Sequence, residues 1–363
     1  MSNWPDWLPL REDLKELTPY GAPQIQNVVA LNTNENPFSL PAELVEKMAA
    51  KISEIAIDLN RYPDRDAILL RTKLAEYINS QSALEFKIEN IWAANGSNEI
   101  LQTLVLAFGQ NGALGFTPSY SMHPLIAKVC GVNWVSGKRE SDFTLNIESA
   151  IAEIELRKPS LVFITTPNNP TGSAVGTEKL LELAKASAKI GALLIIDEAY
   201  EEFSKEKSSV SLIAQNPNTI IVRTMSKAFA LAGARVGYMV ADPKVVEAAQ
   251  LVRLPYHLSS QTQALALVAL ENQELLQKEV ELLREERDRV GVELARLGFQ
   301  VIPSDANFLL FSGFKNGPQI AWQEMLEAGI LIRDVGIKGY LRVTIGTPAE
   351  NNQFLAAIAN HRQ

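Results

Sequence analysis

An α/β fold is what this sequence predicts: a large domain on a mostly parallel central sheet between helices, a smaller α+β domain, and an N-terminal arm. Three observations carry the prediction. From Asn60 onward, short aliphatic runs alternate with stretches of helical periodicity, the mark of repeated βα units. Ahead of them, Pro5, Pro9, Pro19, Gly21, Pro23 and Pro37 interrupt the chain too often for long helices, so this part reads as an extended arm. Beyond about residue 262 the texture changes to a long amphipathic helix followed by short strands. The expected divisions are 1–40 for the arm, packed with the small domain, 41–262 for the large domain and 263–363 for the small one.

Along the chain, helices are expected over 99–108 and 178–189, where apolar residues recur at helical spacing. Strands are expected over 113–116, 161–165, 192–196, 219–222 and 236–240. Each is short, aliphatic and closed by turn-forming or polar residues, as strands buried on both faces are. Further on, Leu276, Val280, Leu283, Val290, Leu294 and Leu297 form a stripe at spacings of three, four and seven, with Arg287 on its seam and Gly298 as the stop signal. An arginine on so short a seam fits a helix packed on a domain better than a coiled coil. Residues 300–303, 307–311, 330–333 and 341–345 then read as strands of the smaller unit.

Composition narrows the function. With 34 basic and 42 acidic side chains the net charge is −8, which argues against a nucleic-acid partner. The single Cys130 cannot close an internal disulfide, and His123, His257 and His361 show neither metal-ligand spacing nor the context of a hydrolase triad, so no metal is expected. Gly109, Gly112 and Gly115 miss the dinucleotide fingerprint. No apolar run approaches the roughly 20 residues that span a bilayer, so no membrane partner is expected. The start Met1-Ser2-Asn3-Trp4-Pro5-Asp6 lacks the basic and apolar regions of a secretory signal, and a cytoplasmic location is expected.

Chemistry concentrates at three strand ends. Thr165-Thr166-Pro167-Asn168-Asn169-Pro170-Thr171-Gly172, Ile195-Ile196-Asp197-Glu198-Ala199-Tyr200 and Arg223-Thr224-Met225-Ser226-Lys227-Ala228-Phe229 each follow or close an aliphatic run, and the third leads on to Gly233-Ala234-Arg235-Val236-Gly237. Ligands bind at the carboxyl ends of parallel strands, so Asn169, Asp197 and Lys227 are expected on one edge. Upstream, Asn95-Gly96-Ser97-Asn98 stands where a helix begins, and free amides there favour an anion. An amide, a carboxylate, a phenol and a lysine in this order resemble the pyridoxal-phosphate-dependent transferases of fold type I, the aspartate aminotransferase fold. The resemblance implies that Lys227 is the Schiff-base lysine and, once displaced by the substrate amine, the base at Cα. It implies that Asp197 pairs with the ring nitrogen, and that Asn169 and Tyr200 bond the ring's phenolic oxygen. Gly96, Ser97, Asn98, Thr224, Ser226 and Arg235 are expected to hold the phosphate and Tyr120 to lie against the ring. Positive charge, from the cofactor and Arg235, is expected to lower the basicity of Lys227.

A narrower resemblance rests on longer motifs. Leu17-Thr18-Pro19-Tyr20, Leu31-Asn32-Thr33-Asn34-Glu35-Asn36-Pro37, Asn60-Arg61-Tyr62-Pro63-Asp64, Arg253-Leu254-Pro255-Tyr256-His257-Leu258 and Leu341-Arg342-Val343-Thr344-Ile345-Gly346-Thr347 look like the histidinol-phosphate aminotransferase family, from about Leu8 to Pro348. That family implies reversible ping-pong amino transfer between histidinol phosphate and 2-oxoglutarate, giving imidazole-acetol phosphate and glutamate, in histidine biosynthesis. It further implies Arg333 and Arg342 as anion clamps, and Tyr20, Tyr120 and Tyr256 as the candidate aromatic wall for the imidazole. Tyr62 would close over substrate or reach the partner subunit's cofactor phosphate, in a homodimer whose sites lie at the subunit interface. Aromatic (phenylalanine) aminotransferases and a threonine-phosphate decarboxylase share the scaffold and stay open as alternatives. Arg333 and Arg342 stand only nine residues apart, a short connection expected to reshape the pocket wall.

Overall fold

Aliphatic runs that must shed water on both faces become the centre of a layered sheet. The computed structural model of the chain describes residues 4–82 and 84–362. Met1, Ser2 and Asn3 of the arm and Gln363 of the small domain lie outside them. The arm contributes β1 (Val29–Ala30) and leads into α1 (Ala42–Ala56) and α2 (Ile68–Gln81). The large sheet takes β2 (Ile91–Ala94), β3 (Ala113–Thr117), β4 (Trp134–Lys138), β5 (Leu161–Thr165), β6 (Leu193–Asp197), β7 (Thr219–Thr224) and β8 (Gly237–Val240). Around it run α3 (Ser97–Phe108), α4 (Met122–Val129), α5 (Ile147–Arg157), α6 (Thr177–Lys189), α7 (Pro243–Ala249) and α8 (Ser260–Glu271). The remainder is α9 (Gln273–Arg296), β9 (Gln300–Val301), β10 (Phe308–Ser312), α10 (Pro318–Glu327), β11 (Ile330–Leu331), β12 (Tyr340–Thr344) and α11 (Pro348–Ile358).

Among the described residues the large sheet has the order β2-β8-β7-β6-β5-β3-β4. Alternate residues of each strand enter opposite layers. Val162, Ile164, Leu194, Ile196 and Ile221 join one core, while Leu161, Phe163, Ile195, Ile220 and Val222 join the other, with Ile100, Leu104 and Val246 from α3 and α7. Covered on both sides, such strands can be wholly apolar, which is why they were legible. Two were not: β2 is only four residues long, and the edge strand β4 mixes Trp134 with Ser136 and Lys138. The strand expected over 236–240 begins at Gly237 and runs antiparallel to both β2 and β7. An antiparallel neighbour needs no crossover helix, so β7 passes to β8 through a loop on the ligand-binding edge. That loop carries Ser226, Lys227 and Arg235.

The smaller sheet is antiparallel, β12-β10-β9. The strand expected over 330–333 does not join it; β11 pairs in parallel with β1 of the arm. Arg11 ties the arm to the larger layer too, donating to the carbonyls of Lys128 and Val129 at the end of α4, the negative end of the helix dipole. The apolar stripe lies on α9, which stops before Gly298 at a left-handed φ of +97°. Arg287 on its seam is buried and donates to the carbonyls of Phe203 and Ala306, a clasp between the helix and two loops. The expected division after residue 262 falls inside α8, which packs on α1 and α2; we propose Asn272, between α8 and α9, as the division.

Candidate active site

Successive parallel strands end on one edge, and the loops that leave them enclose a cavity of about 560 Å³. β5 delivers Asn169 through the turn after Thr165, β6 ends on Asp197 with Tyr200 just beyond, and β7 leads to Thr224, Ser226 and Lys227. Ser97, Asn98, Tyr120 and Arg235 complete the large-domain wall, and Tyr20, Arg333 and Arg342 close it from the arm and the C-terminal unit.

Asp197 is buried, with Oδ2 3.0 Å from His123 Nε2 and Oδ1 accepting the Ala199 N–H at 3.2 Å. His123, which the sequence reading excluded only as a metal ligand or triad base, thus touches the central acid and sits edge-on to Tyr120 with centroids 5.4 Å apart. No local signal marked it: His123 stands at the start of α4, while its partner Asp197 ends β6. The neighbouring Glu198 turns away from the cavity. It accepts from Arg223 at 3.1 Å, from Ser208 at 2.7 Å and from the Ser209 N–H at 2.6 Å. This buried pair ties the ends of β6 and β7 together behind the cavity.

Lys227 Nζ donates to the Thr33 carbonyl at 2.9 Å. Burial, first of all, pulls its pKa down to about 8; the positive charges of Arg342 and Arg235 act in the same direction and Glu35 opposes them. The expected effect of Arg235 is present in direction, but burial is the largest single cause. Arg342, also buried, donates to Asn169 Oδ1 at 2.6 Å and to the Asn32 carbonyl at 2.7 Å. Desolvation lowers its pKa to about 10, and its Nε is buried with no acceptor in the protein. Burial raises the pKa of both Tyr120 and Tyr200, keeping the phenols protonated.

The anion end is built from backbone. Gly96 caps α3 at φ +80° with no side-chain cap, leaving the first amides of the helix free. A Cβ there would stand 2.6 Å from an Arg235 guanidinium nitrogen. Gly96 lies beneath that side chain and does not line the cavity itself. Arg235 donates to Ser226 Oγ at 3.3 Å, Thr224 Oγ1 donates to the same oxygen at 2.9 Å, and Tyr120 donates to Asn98 Oδ1 at 3.3 Å. Gly237 of β8 crosses this turn so closely that a Cβ would overlap Ser97 N and the Gly96 carbonyl carbon. Backbone against backbone cannot yield, so Gly237→Ala should destabilise the protein by about 2 kcal/mol and weaken cofactor affinity, read by thermal melting and equilibrium dialysis. Unchanged affinity would separate this crossing from the anion site.

Arg333 and Arg342 each donate a backbone N–H to the other's carbonyl at 2.9 Å. This bridge closes the short connection and makes Asp334 and Val335 part of the wall. Besides Gly96, two expected residues are not in this cavity. Tyr62, 79% exposed, stacks on Tyr256 with centroids 4.3 Å apart, outside it; of the aromatic candidates, Tyr20 and Tyr120 line the wall. The segment Asn32-Thr33-Asn34-Glu35 also lines it, although sequence reasoning gave these residues no role. Leu31 N–H donates to Leu331 O and Thr344 N–H to Leu31 O, contacts too distant in sequence to be read locally. Among the described residues no cluster of His, Cys, Asp or Glu is placed to hold a metal, and no helix is long and apolar enough to cross a membrane.

The sequence matches the family described as Aminotransferase class I and II over residues 26–358. A histidinol-phosphate aminotransferase of Mycobacterium sp. (strain JLS) is 53% identical over 355 residues, 97% of this chain and 93% of that relative. The crystal structure of histidinol-phosphate aminotransferase from Clostridium acetobutylicum superposes with a TM-score of 0.83 at 25% identity, covering 92% of this chain and 98% of that one. The enzyme from Sinorhizobium meliloti in complex with pyridoxal-5'-phosphate gives 0.80 at 25% identity, over 92% and 90%. A lysine, a carboxylate and an arginine pair gathered at the strand ends agree with a match that runs almost from end to end: the chain belongs to the class I and II aminotransferase family.

Proposed function

We infer that the chain is a pyridoxal-phosphate-dependent aminotransferase that moves an amino group reversibly between L-histidinol phosphate and 2-oxoglutarate, in histidine biosynthesis. The observation that carries this reading is the meeting, in one cavity, of a lysine of lowered basicity, a buried carboxylate and two guanidinium groups. The residues fit the cofactor. Free amides at the start of α3, with Arg235 and Ser226, suit a phosphate, Asp197 suits a ring nitrogen, and Tyr120 offers an aromatic face. The second Nδ2 proton of Asn169 and the Tyr200 hydroxyl suit the phenolic oxygen. When bound, pyridoxal phosphate supplies an electron sink conjugated to the substrate Cα.

The protein's own groups do the rest. Lys227 Nζ, neutral above about pH 8, is the nucleophile that anchors the cofactor and the base that moves a proton at Cα. Asp197, held by His123, would pair with the ring nitrogen of the bound cofactor and favour its protonated form. Arg342 and Arg333 clamp the phosphate of one substrate and the distal carboxylate of the other, and the burial of Arg342 excludes the water that would compete for it. Arg342→Ala should impair both half-reactions about 100-fold, through loss of charge-assisted bonds of about 3 kcal/mol. Arg342→Lys, which keeps the charge and loses the fork, should recover only part of that. Loss of neither half-reaction would remove Arg342 from the substrate site.

The same proposal places the enzyme in the cytoplasm as a homodimer with shared sites. The exposed Tyr62, with Leu251 and Leu254, 83% and 74% exposed, supports a subunit contact there, through which Tyr62 reaches the partner subunit's cofactor phosphate and Tyr256 its substrate. Mixing the cofactor-loaded protein separately with histidinol phosphate, glutamate and phenylalanine tests the substrate assignment through the single-turnover absorbance change. Conversion by histidinol phosphate far faster than by phenylalanine, together with conversion by glutamate, is expected. Preference for phenylalanine would make it an aromatic aminotransferase, and loss of carbon dioxide from threonine phosphate a decarboxylase.

A further inference from the structure

Asn34 is 1% exposed and holds a left-handed backbone, φ +56°. Asparagine is one of the few side chains that adopt this conformation readily. Its polar groups are all engaged. The backbone N–H donates to Thr344 Oγ1 at 3.0 Å, Oδ1 accepts from the same hydroxyl at 2.9 Å, and the carbonyl accepts from Asn307 Nδ2 at 3.2 Å. Its own Nδ2 donates to the Tyr200 hydroxyl at 2.9 Å.

A second amide reaches the same phenolic oxygen, Asn169 Nδ2 at 3.3 Å. Its orientation is set by Arg342, which can only donate and holds Asn169 Oδ1. A phenol oxygen has two lone pairs and one proton. With both lone pairs taken by amide N–H groups, the Tyr200 proton is left to point into the cavity that Tyr200 lines.

We propose that Asn34 is a positioning residue: by donating to Tyr200 beside Asn169, it locks that phenol as a hydrogen-bond donor toward the anionic oxygen of the cofactor ring. The proposal rests on the pyridoxal-phosphate reading of the cavity given above. Thr344 and Asn307 anchor Asn34 from the C-terminal unit, so the placement of that unit is transmitted to Tyr200.

The test is Asn34→Asp, read by the pH titration of the cofactor's absorbance in the loaded protein. A carboxylate keeps the shape, the backbone conformation and the bond from Thr344, yet it accepts where the amide donated, so the Tyr200 proton turns toward it. The anionic ring oxygen then loses a donor, and its titration should move up by about one pH unit, the worth of one hydrogen bond to a charged group. Tyr200→Phe should move it in the same direction, and the double variant should match Tyr200→Phe alone. Additive shifts, or a shift in Tyr200→Phe with none in Asn34→Asp, would overturn the role of Asn34. No shift in Tyr200→Phe would instead sink the reading of Tyr200 as donor, and the proposal with it. Should Asn34→Asp fail to fold, judged by melting of the cofactor-free protein, Asn34→Gly decides. Glycine accepts the positive φ and frees one lone pair of Tyr200, so a smaller upward shift is expected and an unchanged titration overturns the proposal.

Discussion

Lys227→Ala is expected to lower amino transfer by roughly 10⁴-fold or more, because in the proposed mechanism it removes both the nucleophile that anchors the cofactor and the base that acts at Cα. The variant should release its cofactor on dialysis, whereas the parent protein should be trapped covalently by borohydride. Normal turnover would end the assignment of Lys227. The parent protein carries a matching pH dependence. Its amine loses the proton near pH 8 rather than at the ordinary 10.5, so covalent loading of the cofactor-free protein should accelerate with pH and level off above about 8. Stability follows the same linkage. Between those two values the unfolded chain still binds a proton that the native state has lost, so native stability rises with pH across the window, by at most about 3 kcal/mol. Lys227→Met, which fills the space without the amine, should lose that rise; a slope unchanged in the variant would show that burial is not what lowers the lysine.

Asp197→Asn is the second change with a large expected effect. The amide keeps the size of the group and can still meet His123, so folding and cofactor binding should fall only modestly. What it lacks is the negative charge that favours a proton on the ring nitrogen. About 4 kcal/mol of stabilisation at the proton-transfer step then goes missing, roughly 1,000-fold in kcat. His123→Phe removes only the partner at 3.0 Å, and a loss of about tenfold is expected, with cofactor affinity largely kept. Comparable losses in both variants would mean that His123 does more than hold the acid. Near-normal kcat in Asp197→Asn would remove the carboxylate from the chemistry.

How far the site was legible depended on how locally each residue is determined. Asn169, Asp197 and Lys227 each follow an apolar strand within a few residues, and parallel register turns that adjacency into shared location. The cap at Gly96 was legible for the same reason. His123 was not, since its partner Asp197 lies on another strand, and a single histidine at the start of a helix carries no local mark of what it faces. Tyr62 and Tyr256 stand outside the cavity because a stacked, exposed pair belongs to a surface rather than to the strand ends.

The sequence by itself determined the layered α/β architecture and the placing of Asn169, Asp197 and Lys227 at strand ends, because period-two and helical patterning and the residues that end each strand are properties of short stretches of chain. The family and the cofactor came from the resemblance those motifs carry. Only the tertiary structure decided the rest. It reversed β8, so that one loop carries Ser226, Lys227 and Arg235. It drew Asn32, Thr33 and Asn34 against Arg342, Lys227 and Tyr200. It also made burial the largest single cause of the weakened basicity of Lys227, with Arg342 and Arg235 acting in the same direction. These are contacts between residues up to 310 positions apart, and hydrogen bonding and desolvation at such separations exist only once the chain has closed.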